Sequence, residues 1–404
     1  MTRARALALV GAPLALVGAL LAPVGALLAP VVVAADEPLA TDAIFGPPRP
    51  FAIESVRTRF THFSQMGHGF QSQAGGPPGS EELTVEQPQL EVVAHQGSNI
   101  THRIWVPLDI VTAASPDAID GDYGRPDAIS TASRTNEAGS IELASTWQAT
   151  RATAATVHGG FHLEEPYRSW DVGAALAHSF ADDNAVIAAS INQYVDWLDT
   201  FDIHGTRLER AGRSSTNLNL GLTQLLSSTT VGHLDYGVTL QNGRLGNTWN
   251  AVPLATGSYT DEKLPGFRQR HAFVGRLAQW LPWRGALHLY YRFYVDDWGL
   301  LAHSAEAELY QRVGPWLWLR ATYRVHQQSG VSFFTTAALA TAELRSADSD
   351  LAPFVAQTFG GAVGVDLRMV PRLRALAIDF SYERYVRTND LHVDIFSIGL
   401  GLRF

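Results

Sequence analysis

The chain has 404 residues, of which 46% are hydrophobic and 17% are charged, and its mean hydropathy is close to zero. This average is too polar for a bundle of membrane helices, and a formal charge of −9 gives no electrostatic reason to bind nucleic acid. The chain has no cysteine, which suits export through an oxidising compartment. Composition therefore favours an exported, folded protein.

The amino-terminal segment has the pattern of a secretory signal peptide. The basic start MTRAR precedes residues 6–33, which contain no charged side chain and lead into Val33-Ala34-Ala35. We predict cleavage after Ala35, and the prolines at positions 13, 23 and 30 argue against the alternative, an uncleaved membrane anchor. Residues 36–50 contain four prolines and are expected to form a periplasmic lead-in to one domain, residues 51–404.

From residue 51 onwards the sequence alternates apolar and polar residues in pieces of about ten residues, separated by turn residues. This pattern predicts an all-β fold, an antiparallel up-and-down transmembrane β-barrel of about 16 strands, with a range of 14 to 18. The predicted strands cover residues 53–64, 88–96, 101–113, 139–148, 153–163, 169–180, 185–197, 214–226, 230–241, 269–281, 285–296, 301–311, 315–327, 354–369, 372–385 and 392–404.

The last strand fixes the orientation of the others. Its apolar residues share one parity and end on an aromatic side chain, which resembles the terminal strand of bacterial outer-membrane barrels, where this pattern is read as an insertion signal. Counting back from it, alternate connections are tight and the five longest connections all fall in the other class, which a soluble β-sandwich does not require. The predicted signal residues are Phe396, Ile398, Leu400, Leu402 and Phe404.

The polar parity of each strand marks the predicted lumen. Inward arginines on strands 285–296 and 315–327 flank inward glutamates on the strand between them, which predicts pairs from Arg292, Arg320 or Arg324 to Glu306 or Glu308. Such a belt either solvates and stiffens the wall or forms a charged constriction that selects solutes. The predicted lumen charge belt comprises Arg276, Arg292, Glu306, Glu308, Arg320, Arg324, Asp379 and Glu383.

Sequence motifs for catalysis are missing. No nucleophile elbow, phosphate-binding loop, zinc-protease helix or dinucleotide glycine pattern occurs, so we expect no enzyme, no cofactor and no catalytic residue. The pairs His62 with His68 and His288 with His326 lack a third ligand at suitable spacing, and no metal is expected. Four aspartates within residues 114–138 could suit calcium, but solvated loop acids explain them better.

Four segments carry a more specific resemblance: LNLGLTQLL (218–226), RQRHAFVGRLAQWL (268–281), GALHLYYRFYVDDWGLLAHSAEAELYQ (285–311) and WLRATYRVHQQS (318–329). They resemble an exported bacterial family catalogued as domain of unknown function thirty-five seventy, which implies an outer-membrane barrel but no established activity. We expect a porin-like passage for small solutes, with outer-membrane lipid and the barrel-assembly machinery as partners. The alternative is a non-conducting structural or adhesive barrel whose outside loops bind a partner.

Overall fold

The computed structural model describes residues 51–67, 82–112, 136–164, 167–202, 206–246, 251–367 and 374–404. The predicted signal peptide and lead-in lie outside these ranges, as do His68 and the aspartates at 117, 120, 122 and 127. No helix in the described part of the chain is long and apolar enough to cross a membrane.

Sixteen strands form one closed antiparallel barrel, in which each strand pairs with its neighbours along the chain and the first strand pairs with the last. The prediction of a barrel of about 16 strands is therefore confirmed. The barrel strands are β1 (Phe51–Gly67), β2 (Leu83–Gln96), β3 (Ile100–Thr112), β4 (Asn136–Gln148), β5 (Thr153–Glu164), β6 (Tyr167–Phe180), β7 (Ala185–Leu198), β8 (Ala211–Ser227), β9 (Thr230–Gly243), β12 (Phe267–Leu281), β13 (Gly285–Asp296), β14 (Leu301–Val313), β15 (Leu317–Gln328), β16 (Phe354–Leu367), β17 (Ala375–Arg387) and β18 (Leu391–Arg403).

The predicted start of β2 is five residues too late, because β2 begins at Leu83 and not at residue 88. Pro88 offers no backbone N–H, and the register of β2 with β3 is interrupted at positions 87–88, close to Pro107 on β3. The sequence marks Pro88 as a boundary, yet the strand continues through it. Pairing between β1 and β2 carries the ladder past this point, since Phe60 lies opposite Pro88.

The two ends of the barrel differ in their connections. We name them the tight-turn end, which includes residues 97–99, 181–184 and 282–284, and the long-loop end, which includes residues 199–210, 244–266 and 329–353. Phe404 lies at the tight-turn end, where its backbone N–H donates to the Glu54 carbonyl oxygen at 2.8 Å. The sorting of loops predicted from Phe404 is thus present in the structure.

Alternation separates an apolar outer face from a polar inner face. On β13 the outward Leu289 and Tyr291 are 41% and 49% exposed, whereas the inward Tyr290 and Arg292 are each 8% exposed. The same parity gives exposed apolar side chains around the barrel, as expected when lipid is the solvent for one face. They include Phe60, Leu143, Val157, Trp170, Val172, Ile191, Leu220, Leu234, Phe273, Phe359, Phe380, Phe396, Ile398 and Leu400.

Small residues on the lumen face let long side chains lie flat against the wall. A Cβ atom added to Gly364 would lie 2.2 Å from the Trp318 ring on β15, and one added to Gly160 would lie 2.3 Å from the Asp171 carboxylate on β6. Glycine is therefore required where a neighbouring side chain crosses the strand. As a result, these side chains run along the wall instead of pointing across the lumen.

Two long loops at the long-loop end fold together into what we call the loop unit, residues 251–264 and 331–347. It contains the short strands β10 (Ala251–Pro253) and β11 (Tyr259–Asp261), and bridges join Leu254 to Ala338 and Lys263 to Arg345. Val252 is fully buried against Ala338. The sequence analysis did not predict β10 or β11, since strands of three residues show no periodicity.

The loop that follows β15 is tied to the inner wall. A 3₁₀ turn at Ser349–Leu351 places Asp350 within 2.7 Å of the Arg387 guanidinium, and Gln328 donates to the carbonyl oxygens of Asp350 and Ala352 at 2.8 and 2.7 Å. Arg387 and Gln328 face inward, so this segment covers the lumen wall at the long-loop end.

Candidate functional site: the lumen charge belt

The centre of the belt is formed by β14 and β15. Glu306 lies directly opposite Arg324 in the ladder, and Arg324 Nε donates to the Glu306 carboxylate at 2.5 Å. Glu308, two residues along β14, accepts from Arg320 Nη1 at 3.4 Å. The predicted pairing of these glutamates with Arg324 and Arg320 is therefore present.

The belt continues across β16, whose central lumen positions carry only small residues. Arg320 Nη2 reaches Glu383 on β17 at 3.4 Å, and Gly360 between them offers no side chain to obstruct the pair. A Cβ atom at Gly360 would lie 2.9 Å from the Glu383 side chain. Arg320 thus joins two carboxylates on different strands into one network.

Asp379 pairs with a residue that the sequence analysis did not identify. Arg59 Nη2 on β1 lies 2.8 Å from the Asp379 carboxylate on β17, across Gly399 of β18. The two partners are 320 residues apart, and they meet only because β1 and β18 close the barrel. Two features of the sequence could have indicated this pair: Arg59 has the lumen parity of β1, and the residue facing it on β18 is a glycine.

Arg292 does not pair with Glu306 or Glu308, contrary to expectation. The register places Arg292 opposite Ser304, one inward position beyond Glu306, and no ion pair joins it to either glutamate. Its guanidinium lies 5.3 Å from the centre of the Tyr294 ring instead. The error has a physical cause: a two-residue step along a strand moves a side chain by about 7 Å.

Arg276 is also weakly paired. Its Nη1 atom lies 4.0 Å from the Asp235 carboxylate, which accepts from His233 at 2.5 Å, and its Nη2 atom is buried without a hydrogen-bond partner. The eight predicted belt residues therefore divide into a paired set and two arginines with weak or no pairing. Those two arginines lie on the neighbouring strands β12 and β13.

A second charged group lies on the wall formed by β1 to β4. Glu91 accepts from Arg57 at 3.3 Å and from Arg103 at 2.8 Å, and Arg103 also lies 3.5 Å from Glu142. The sequence analysis did not include these residues, although their parity on adjacent strands is the same signal that identified the belt. Charged lumen residues are thus not confined to the predicted belt.

Gly399 provides a test of how the belt is packed. A Cβ atom at Gly399 would lie 2.4 Å from the Asp379 carboxylate, so Gly399→Ala is expected to displace Asp379 and break its pair with Arg59. We expect a loss of about 1–3 kcal/mol in the free energy of unfolding, measured by urea titration of the protein folded in lipid vesicles. Gly401→Ala is the matched control on the same face, because its Cβ atom would meet Ala377 at an ordinary 3.6 Å. Equal effects of the two substitutions would contradict this packing.

Metal-binding groups do not gather in the described residues, where no three histidine, aspartate or glutamate side chains lie close enough to hold an ion. His288 lies 3.7 Å from Glu308, and His326 is hydrogen-bonded to Ser304 at 2.8 Å. His62 is bonded to Glu86 at 2.7 Å on the outer face. These histidines therefore have local partners within the barrel wall.

Apolar residues of the last strand face outward, and their role as an insertion signal stays a prediction. Phe396, Ile398 and Leu400 are exposed on the outer face of β18, at 40%, 53% and 42%. Their inward neighbours Ser397 and Gly399 pair with the inner face of β1. The terminal strand therefore closes the barrel and also contributes to its apolar outer face.

A closed antiparallel barrel with an apolar outer face and a charged lumen defines the class: this is an outer-membrane-type β-barrel protein. Residues 200–394 match the family described as "Protein of unknown function (DUF3570)", which confirms the resemblance seen in the sequence. No curated protein matches the chain.

Three solved structures illustrate what the fold is similar to. A bacterial polysaccharide outer-membrane secretin gives a TM-score of 0.44 at 7% identity, covering 86% of this chain and 98% of that one. A BenF-like porin from Pseudomonas fluorescens Pf-5 gives 0.44 at 10% identity, covering 87% and 99%. Pseudomonas aeruginosa OpdK with vanillate gives 0.43 at 8% identity, covering 87% and 98%. These scores carry no weight for the function of this chain.

Proposed function

We propose that this protein is a non-enzymatic passage for small solutes in the bacterial outer membrane, with the lumen charge belt as its selective region. A barrel of sixteen strands is wide enough to enclose a lumen between its walls. The main support is that charged side chains in the middle of the barrel lie flat over glycines such as Gly160, Gly360 and Gly399. This packing holds the charge of the described strands close to the wall, as a passage along the axis requires.

Conductance of the refolded protein in planar lipid bilayers tests the proposal. Stepwise increases in current on insertion are expected, with a reversal potential in a salt gradient that reports ion selectivity. Folding is checked first by a difference in gel mobility before and after boiling. A protein that folds by this criterion and gives no conductance steps contradicts the proposed passage.

Glu306→Gln is expected to make the conductance more selective for anions. The substitution leaves the positive charge of Arg324 without its partner, and one unit charge about 6 Å from a passing ion is worth about 0.7 kcal/mol in a water-like medium. Chloride gains this energy and potassium loses it, so the ratio of chloride to potassium permeability should rise about tenfold. The measurement is the reversal potential in a potassium chloride gradient.

Two variants control for this result. Glu306→Gln combined with Arg324→Gln removes the pair together and should restore the original permeability ratio. Asp183→Asn removes an exposed acid in a tight turn and should leave the ratio unchanged. A selectivity that is insensitive to all three variants would mean that ions do not pass near the belt.

Export and insertion form part of the proposal: the signal peptide is cleaved after Ala35, and the assembly machinery reads the last strand. In this orientation the tight-turn end faces the periplasm and the long-loop end faces outward. Deleting Phe404 is expected to reduce the amount of folded protein in the outer membrane of cells several-fold, measured as heat-modifiable protein in membrane fractions. Unchanged levels would contradict the role of Phe404.

The second candidate function is a barrel whose outside loops bind a partner. The loop unit favours it, since it has its own buried residues and exposes Leu339 and Leu344, at 66% and 42%. Replacing residues 244–266 with a short linker should abolish attachment of cells to their target surface if the loops are adhesive. For a solute passage the same change should leave conductance in place.

A further inference from the structure

Three donor groups with weak ion pairs or none lie together on the lumen face of β12 and β13. Arg276 and Tyr290 are directly opposite in the ladder, and Arg292 is the next inward residue on β13. The Arg276 guanidinium lies 5.7 Å from the centre of the Tyr290 ring. We name this group, Arg276, Tyr290 and Arg292, the donor cluster.

Burial makes the missing acceptors costly. Tyr290 and Arg292 are each 8% exposed, and the hydroxyl of Tyr290 and the Nη2 atom of Arg276 are buried with no hydrogen-bond partner. A buried polar group without a partner costs roughly 1–3 kcal/mol, and a buried charge costs more. Such groups are kept in folded proteins mainly where something else satisfies them.

Neighbouring strands provide one nearby acid, Asp235 on β9, whose carboxylate lies 4.0 Å from Arg276 Nη1, and none beside Arg292. On β12, the residue opposite Arg292 is Val274, and on β14 it is Ser304, whose hydroxyl is bonded to His326 at 2.8 Å. Glu306 lies opposite Tyr290 but its carboxylate is bound by Arg324.

Several other lumen arginines in the described strands lie close to an acid. Arg59, Arg103, Arg320 and Arg324 each lie within 3.5 Å of a carboxylate oxygen. Arg292, which has no ion pair within the described residues, differs from these four arginines. This difference does not reflect a general shortage of acids in the lumen.

From this geometry we infer that the donor cluster is a binding site for the carboxylate of a small organic acid, an inference that names the solute class for the proposed passage and rests on it. A guanidinium matches a carboxylate with two parallel hydrogen bonds, and a tyrosine hydroxyl can donate a third. Val274 and the ring of Tyr294 beside Arg292 provide apolar surface for the body of the acid. A carboxylate bound at the cluster would accept from a guanidinium group and from the hydroxyl of Tyr290.

Calorimetric titration of the detergent-folded barrel with sodium benzoate tests this site. Saturable binding at one site is expected, with none for benzyl alcohol, its uncharged counterpart. Arg292→Gln and Tyr290→Phe should each weaken benzoate binding, Arg292→Gln by about tenfold or more. Arg57→Gln removes a lumen arginine from the second charged group, on β1 to β4, and should leave benzoate binding unchanged. Inorganic phosphate binding as tightly as benzoate would overturn the assignment to carboxylates, and unaltered binding to Arg292→Gln would overturn the site.

Thermal unfolding separates a binding role from a structural one. Without ligand, Arg292→Met is expected to raise the unfolding midpoint, because it removes a buried charge that has no partner. Benzoate should raise the midpoint of the wild-type barrel and not that of the variant. A lower midpoint for Arg292→Met in the absence of ligand would mean that Arg292 only stabilises the wall.

Conductance distinguishes failure of this site from failure of the passage. A barrel that conducts but does not bind benzoate would support the proposed passage and contradict the carboxylate site. A barrel that binds benzoate but does not conduct would support the carboxylate site and contradict the proposed passage.

Discussion

Asp296→Ala is expected to lower the free energy of unfolding by about 3–5 kcal/mol, because it leaves the buried guanidinium of Arg268 without its partner. The Asp296 carboxylate is fully buried at the end of β13, where it accepts from Arg268 Nε at 2.9 Å and from the Tyr294 hydroxyl at 2.8 Å. It also accepts from the backbone N–H groups of Trp298 and Leu300, each at 3.0 Å. The measurement is equilibrium unfolding in urea from lipid vesicles.

The neighbouring aspartate is the matched control. Asp297 is exposed and accepts one bond, from the backbone N–H of Gln269 at 2.9 Å. Asp297→Ala should therefore cost about 1 kcal/mol. If the two alanine variants unfold at the same urea concentration, the network around Asp296 does not hold the β13 to β14 turn.

Tyr294 and Trp298 explain why Asp296 has this role. The Arg268 guanidinium lies 4.2 Å from the centre of the Trp298 ring, and the Trp298 indole N–H donates to the Phe267 carbonyl oxygen at 2.9 Å. The turn Asp296-Asp297-Trp298-Gly299 thus does more than reverse the direction of the chain. It anchors the turn to β12 through one buried ion pair.

The fold was predictable from the sequence because lipid and water impose opposite requirements on the two faces of each strand. The alternation along β13, from Leu287 to Asp296, indicates strand, face and orientation at once. The strand ends were less predictable where a proline lies within the ladder, as Pro88 does in β2. Proline usually marks an edge, and the sequence alone does not show that pairing to β1 compensates.

The sequence was sufficient to predict which residues form the lumen charge belt, but not all of the ion pairs between them. Parity identifies which side chains face the lumen, and hairpin neighbours such as Glu306 and Arg324 follow from chain order. Pairs that cross an intervening strand depend on glycine at the facing position and on the exact register. Arg59 with Asp379 is such a pair. Arg292 shows the opposite outcome: it has no ion pair in the described part of the chain because the nearest acid on β14 is one inward position away in the register.

Ile398→Arg is expected to destabilise the barrel by about 2–4 kcal/mol, the cost of an arginine on the lipid face near the middle of the bilayer. Ile398 lies on the outer face of β18, about halfway between the tight-turn and long-loop ends, and is 53% exposed. Its neighbours across the strands are Phe60 and Phe380, both outward and apolar, so the new charge has no acid within reach. Urea unfolding from vesicles measures the loss.

Leu339→Arg, in the loop before β16, tests whether the position or the residue type causes the loss, since Leu339 is 66% exposed. Outside the strands an arginine remains in water, so its effect should stay within about 0.5 kcal/mol. The Ile398→Arg penalty should also shrink when the barrel is folded in detergent micelles, which deform around a charge more readily than a bilayer. A penalty of equal size in both environments would mean that Ile398 packs against protein, and the outer face of β18 would then be an interface and not a lipid-facing surface.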